Sequence, residues 1–555
     1  MSDFWGPFTQ TPNLLIFVTD QQRTTQWYPR LWVQENLPNL WMLQQRGVTF
    51  TNGMTNTSAC SPSRATLWTS TFPMLNGVDS VGQTLNLTDP ETGQPITVST
   101  GPGVDPRPMT TLGLMLQNHA PAGVDYQVAY KGKWHLTESF SQGVGPIAQQ
   151  GAEHQASQAS DNATMASTYG FNGWTSPDFG TSMDAGASSI PTESLATLGG
   201  GVGQNDARVA VGTSWAGGST VASAAAFLRN VETTPERPFC LVVSLLNPHD
   251  IFASPDGYAS AGYLPPGLPA PWRQAPFTEI TSVPPNAVLT PPQLANKPAA
   301  QASWRTDYTA DQALDYLRFY AYLETLSDAL LGQVWAELKS EHVANTLVLR
   351  LADHGEMGMS QGYMIEKEAQ AYNETLLVPM VFTAPGLPAG AQCGALAGLV
   401  DVLPTLAEIC GLSDLDTYAT QGQSLADAVL AGDKGQTTDQ LLFASDDHGL
   451  ELRCLIDVSL GYKYVVTANG EAWQCELYPF TSDDGVWADE MDNLVPVDGL
   501  TDGTPASSQA LQTAWNAMHV QLTATLTATN TTPANWPDPP PAVTPARRSS
   551  NRLLR

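Results

Sequence analysis

The chain has 555 residues, 42% of them hydrophobic, with 24 basic against 53 acidic side chains and a formal charge of −29. That length builds one large core plus a smaller one. The acidic balance excludes nucleic acid and anionic membranes as partners, because the cationic field that binds phosphate is missing. An anionic substrate would need a local cationic pocket, and the remaining acidity reads as solvated surface.

From the N-terminus, Met1 to Gln10 has neither a cationic start nor a long apolar run, so a cytoplasmic location is the default expectation, although a trimmed leader would look the same. Leu14-Leu15-Ile16-Phe17-Val18 is a continuous apolar run ending in Thr19-Asp20, the pattern of a strand buried on both faces. Thr346 to Ala352, running into Asp353, repeats it, and Tyr126 to Tyr130 and Phe239 to Leu245 supply further strands. Residues 137–225 turn to Gly, Ser, Ala and Gln with little periodicity, and residues 254–303 are rich in Pro. Both stretches read as long surface insertions, either decorative or forming the rim of a site. Between Asp311 and Leu338, Leu314, Leu317, Tyr320, Leu323, Leu326 and Leu330 recur at helical spacing.

Strands alternating with helices predict an α/β fold with a large central sheet flanked by helices, whose ligand lies at the carboxyl ends of the strands where Asp20 and Asp353 fall. From about residue 441 the runs shorten: Glu451 to Val458, Tyr462 to Thr467 and Trp473 to Tyr478, with Asn469-Gly470 as a hairpin signal. A small antiparallel C-terminal sheet and a helix near Ser507 to Leu526 follow. The expected organisation is residues 1–440, 441–530, and a Pro-rich tail 531–555 ending in Arg547, Arg548, Arg552 and Arg555, read as disordered by itself or as an oligomer arm. The six cysteines form no disulfide framework and read mostly as buried thiols. Cys454 and Cys475 fall on neighbouring predicted strands and could pair.

Five segments carry the chemistry. Thr19-Asp20-Gln21 ends the first strand. Cys60-Ser61-Pro62-Ser63-Arg64 precedes Ala65-Thr66-Leu67. Gly132-Lys133-Trp134-His135-Leu136 follows the strand at Tyr126, Asn247-Pro248-His249-Asp250 follows that at Leu241, and Ala352-Asp353-His354-Gly355-Glu356 ends that at Leu347. In this order, with Lys367 and Val378-Pro379, the chain resembles the sulfatase family across nearly its whole length. The fold implied is that of the alkaline-phosphatase superfamily.

The resemblance implies that Cys60, in a Cys-x-Pro-x-Arg signature, is oxidised to formylglycine by a formylglycine-generating enzyme. The aldehyde hydrates to a geminal diol, one hydroxyl attacks sulfur, and His135 deprotonates the other to expel sulfate. Arg64 holds the modified residue. Lys133 and Lys367 suit the sulfate oxygens, and His249 suits the departing ester oxygen. Asp20, Gln21, Cys60, Asp353 and His354 are the implied metal ligands, with a strand-end polar group that never touches the ion as the alternative for Gln21. The Asp-Gln and Asp-His pairs resemble the subset with choline sulfatases and phosphonate monoester hydrolases, and leave one Ca²⁺ or Mn²⁺ ion open. Asn76, before Gly77, is either a substrate contact or a turn residue.

The expected function is hydrolysis of a small-molecule sulfate ester. The rivals are a phosphonate monoester or phosphodiester hydrolase on the same nucleophile, and a non-catalytic binding protein that retains the fold. Assembly into a dimer or tetramer is a further expectation.

Overall fold

The apolar run at Leu14 to Val18 forms the middle of β1 (Asn13–Asp20), every residue of which is buried. The computed structural model describes residues 5–24, 27–137, 152–174, 204–212, 223–259, 261–264, 267–433, 438–469, 472–481 and 488–540. The main sheet is built from β1, β2 (Val48–Met54), β5 (Gln127–Gly132), β6 (Phe239–Pro248), β7 (Thr346–Ala352), β8 (Met380–Thr383) and β9 (Ala391–Gly398), with a two-residue ribbon of β3 (Thr97–Val98) and β4 (Arg107–Pro108) outside it. Its order is β5-β6-β1-β7-β8-β2-β9. Only β8 runs against its neighbours.

Period-two alternation divides β1 between two cores. Leu14, Ile16 and Val18 face one layer with Ala65, Leu67 and Trp68 of the Cys60–Thr69 helix and Leu403 and Leu406 of the Val402–Cys410 helix. Leu15 and Phe17 face the other, where Leu330, Leu331 and Val334 of the Ala310–Trp335 helix pack with Leu40, Leu43 and Leu228. Strands buried on both faces therefore read as unbroken apolar runs. The long helix starts on a Thr309/Gln312 capping box, which satisfies its first orphan amides.

The C-terminal sheet is antiparallel, in the order β10 (Gln440–Ser445), β11 (Leu452–Asp457), β12 (Tyr462–Asn469), β13 (Ala472–Pro479). Asn469 pairs with Ala472, as the hairpin signal required, and Gly470 lies outside the described residues. One face packs on the Gln509–Ala528 helix through Trp515, Met518, Leu522 and Leu526. The other lies against Met54, Leu376 and Leu396 of the main domain.

Three expectations change. Cys454 and Cys475 are free thiols. They sit on β11 and β13 with β12 between them, and Cys454 belongs to the face toward Met54 while Cys475 belongs to the face toward Trp515, so no bridge is possible.

The stretches read as surface insertions contribute core. Tyr169, Phe171 and Trp174 are buried in the main core, with Phe171 packed on Trp68, Tyr130 and Trp134. Tyr258, Tyr263, Trp272 and Phe277 line a third core against Phe319 and Tyr320. The rest of 137–225 lies mostly outside the described residues.

The tail also differs at its start. Trp536 stacks on His519 at 5.6 Å and donates from Nε1 to Thr523 Oγ1 at 2.9 Å, so residues 531–540 dock on the C-terminal helix. Residues 541–555 and their four arginines lie outside the described residues. Among the described residues no helix is long and apolar enough to cross a membrane.

Candidate active site

Parallel strands send their carboxyl ends to one edge of the sheet, and the motif residues follow them there. Asp20 is the last residue of β1, Asp353 follows β7, Lys133 follows β5 and His249 follows β6. Cys60 opens its helix after a short passage from β2. Two glycines let the backbone make these turns: a Cβ on Gly132 would stand 1.9 Å from Ser244 O, and one on Gly355 would stand 2.1 Å from Glu374 O. Gln21, Ala59 and His135 adopt positive φ (63°, 71° and 59°) beside Asp20, Cys60 and Lys133, local strain at the points where side chains must be aimed.

The side chains form one buried polar cluster. Cys60 Sγ lies 3.5 Å from Asp20 Oδ1 and 3.3 Å from His354 Nε2. Arg64 bridges the two carboxylates, donating from Nε to Asp353 Oδ2 at 2.9 Å and from Nη2 to Asp20 Oδ2 at 3.4 Å. Its Nη1 donates to Lys133 O at 2.7 Å and to Ser244 Oγ at 2.9 Å. Lys133 Nζ pairs with Asp20 Oδ2. Behind the nucleophile position, Ser63 Oγ donates to Asp353 O at 2.5 Å and locks the helix to the end of β7.

The electrostatics follow from this crowding. Burial alone would raise the Asp20 carboxyl, but Lys133, His249, Arg64 and His354 together hold it well below the usual carboxylate range. Burial opposes charge on Arg64, and Asp353 and Asp20 more than offset it. Burial, reinforced by Lys133, pushes both His135 and His249 well below 6.5, so both are neutral at neutral pH. Burial also acts against charge on His354, yet Asp353 and Cys60 raise its pKa to about 9.

Asp20, Cys60, Asp353 and His354 each place a ligand atom within 4.8 Å of the others. That spacing fits donors at opposite sides of one divalent ion, at roughly 2.0–2.5 Å each. His354 Nδ1 lies 3.0 Å from Gly355 O, an atom that can only accept; Nδ1 therefore carries a hydrogen, and Nε2 is the atom facing the centre, which would bind an ion on giving up its own proton.

Gln21 has partners of its own. Its Nε2 donates to Glu356 Oε2 and, at 3.0 Å, to Glu366 Oε2, while its Oε1 accepts from Lys367 Nζ at 3.0 Å. Its backbone N–H reaches Asp353 Oδ1 at 3.0 Å. Gln21 thus orients Lys367 and Asp353, and its carboxamide is occupied by this network.

Burial opposes the charge on Lys367, but Glu366 and Glu368 raise its pKa well above the ordinary value. Asn76 closes its own turn: Nδ2 donates to Thr71 O at 2.8 Å and Oδ1 accepts from Val78 N–H at 3.0 Å. Sequence reading missed Glu356, Glu366, Tyr316 and Ser244. Tyr316 donates to Glu356 Oε1 at 2.6 Å, and only the position of Glu356 inside the Asp-His-Gly-Glu segment hinted at a part for it.

The family model for Sulfatase matches residues 12–412. The chain belongs to the sulfatase family. Rat (Rattus norvegicus) arylsulfatase K is 24% identical over 418 residues, which are 73% of this chain and 60% of the rat protein. This sulfatase-family chain also shares its fold with a solved 2-O GAG sulfatase (TM-score 0.58, 19% identity, 94% of this chain and 93% of that one). A phosphonate monoester hydrolase from Silicibacter pomeroyi has the same fold (TM-score 0.60, 18% identity, 93% and 96% covered).

Proposed function

We propose that the protein hydrolyses sulfate monoesters with residue 60, matured from cysteine to formylglycine, as its nucleophile. The observation that carries this is the position of Cys60 Sγ among Asp20, Asp353 and His354, with Arg64 and Lys133 beside it. The whole Cys60–Thr69 helix is buried, so a maturation enzyme must meet the segment before it folds.

A divalent ion held by Asp20, Asp353, His354 and residue 60 would withdraw charge from a sulfate oxygen and acidify the nucleophilic hydroxyl; the imidazole donor suits Mn²⁺ better than Ca²⁺. Arg64 fixes the two carboxylates and keeps residue 60 in register with them. Lys133 and Lys367 supply the cationic pocket that an anionic ester needs in so acidic a protein. His135, held neutral, is ready to accept a proton from the second hydroxyl of the hydrated aldehyde. His249, whose Nδ1 is buried without a hydrogen-bond partner, faces the leaving-group oxygen in this assignment, and a bound anion would pull its depressed pKa back up.

A second reading, a phosphonate monoester hydrolase, is supported by the shared fold with the Silicibacter pomeroyi enzyme, and the Asp353-His354 pair does not separate the two. Both readings require the same nucleophile. The test is peptide mass spectrometry of the Cys60 segment after co-expression with a formylglycine-generating enzyme, followed by rates on aryl sulfate and aryl phosphonate. Conversion should lower the peptide mass by about 18 Da, and Cys60→Ala should lose both that change and turnover. An active protein with an intact Cys60 thiol sinks the mechanism, and a preference for the phosphonate shifts the substrate class.

A further inference from the structure

A second group of metal-type donors lies on the far side of Lys367. Glu368, Asp447 and His448 each place one ligand atom within 4.8 Å of the others. They come from different parts of the fold. Glu368 follows Lys367 in the loop after β7, whereas Asp447 and His448 form the connection from β10 to β11.

Glu368 and Asp447 are 6% and 8% exposed, and the His448 side chain is 54% exposed. Asp447 Oδ1 accepts the His448 backbone N–H at 3.0 Å. Its other oxygen, Oδ2, is buried with no hydrogen-bond partner and stands 3.6 Å from His448 Nε2. A buried carboxylate oxygen without a donor is unfavourable, and a cation placed there removes the penalty.

The neighbouring cation does not serve this purpose. Lys367 Nζ is 3.5 Å from Glu368 Oε1 but 3.0 Å from both Gln21 Oε1 and Glu366 Oε2, which draw it toward the active site. The Trp304 ring lies 5.7 Å from the His448 ring and backs the imidazole.

We propose that Glu368, Asp447 and His448 hold a second divalent cation, separate from the one at residue 60, which ties the loop bearing Lys367 to the C-terminal sheet. Two carboxylates and one imidazole match Zn²⁺ or Mn²⁺; Ca²⁺ would call for six to eight oxygens. The exposure of His448 leaves the remaining coordination positions to water. The site stands on its own residues and does not depend on the reading of residue 60.

The experiment uses the full chain, stripped with a chelator and dialysed against Zn²⁺, with ions per chain counted by atomic emission. Wild type should bind two. His448→Ala, at a half-exposed position that leaves folding intact, and Asp447→Asn should each bind the second ion at least about tenfold more weakly. Asp353→Asn should keep that ion while disturbing the first. Equal stoichiometry and affinity in wild type and His448→Ala would overturn the proposal, as would a wild type that binds one ion and loses it in Asp353→Asn.

Discussion

In the seven-stranded sheet, β1, β5, β6 and β7 point the same way, and the residue at or just past each end, Asp20, Lys133, His249 and Asp353, arrives at one edge. In the four-stranded antiparallel sheet successive ends alternate, and the side chains go into packing: Leu455, Tyr464, Val466 and Leu477 meet Trp515 and Leu522. The first region gathers Asp20, Lys133 and Asp353 in one buried cluster, while the second presents an apolar face to Met54 and Leu376 and pairs its own charges, Arg453 with Asp446 and Lys463 with Glu490, within the C-terminal subdomain. Topology therefore puts the residue-60 cluster on the parallel sheet. A parallel sheet gathers polar groups that no single segment could satisfy, and an antiparallel one offers faces.

This contrast can be broken at its strongest point. Arg64→Ala removes the group that bridges Asp20 and Asp353, so activity should fall by about 10²–10³-fold. Stability should fall by about 3–5 kcal/mol, since two buried carboxylates lose their counter-charge; steady-state rates and urea unfolding measure the two effects. Trp515→Ala in the supporting layer should cost about 3–5 kcal/mol of stability as well, with kcat little changed in the folded protein at low temperature. A comparable loss of activity in both variants would mean that the division between the regions is wrong.

A smaller effect sharpens the electrostatic half of the comparison. Burial and Lys133 hold His135 below 6.5, so the neutral base persists as pH falls, and the acid limb of kcat/KM should lie below pH 6.5. In Lys133→Gln, whose residual activity is still measurable, that limb should move to higher pH, because the cation that disfavours protonation is gone. A limb that stays in place would remove His135 from the role of base. The smallest expected effect is none. Reducing agent should leave Tm unchanged, because Cys454 and Cys475 are free thiols on opposite faces of the C-terminal sheet.

Much of this was legible along the chain. The strands at Leu14, Phe239 and Thr346 announce themselves because burial on both faces requires unbroken apolar runs, and their polar terminators mark the site edge. The C-terminal hairpin at Asn469 and the helix near Ser507 are local signals that the structure matches to within a few residues. What failed was non-local. Tyr169, Phe171 and Trp174 sit in a Gly- and Ser-rich stretch without periodicity, and only their contacts with Trp68, Tyr130 and Trp134 make them core.

The sequence by itself determined the fold class, the five ordered motifs and the residue types of the candidate centre, because strand burial and motif order are properties of the chain. The tertiary structure decided how those side chains divide the available partners. Gln21 bonds Glu356, Glu366 and Lys367, while Asn76 closes its own turn and Glu368 meets Asp447 and His448 from another subdomain. Each choice depends on which donors and acceptors lie within about 3 Å of a buried atom. That distance is set by packing between segments hundreds of residues apart, about which local sequence carries no information.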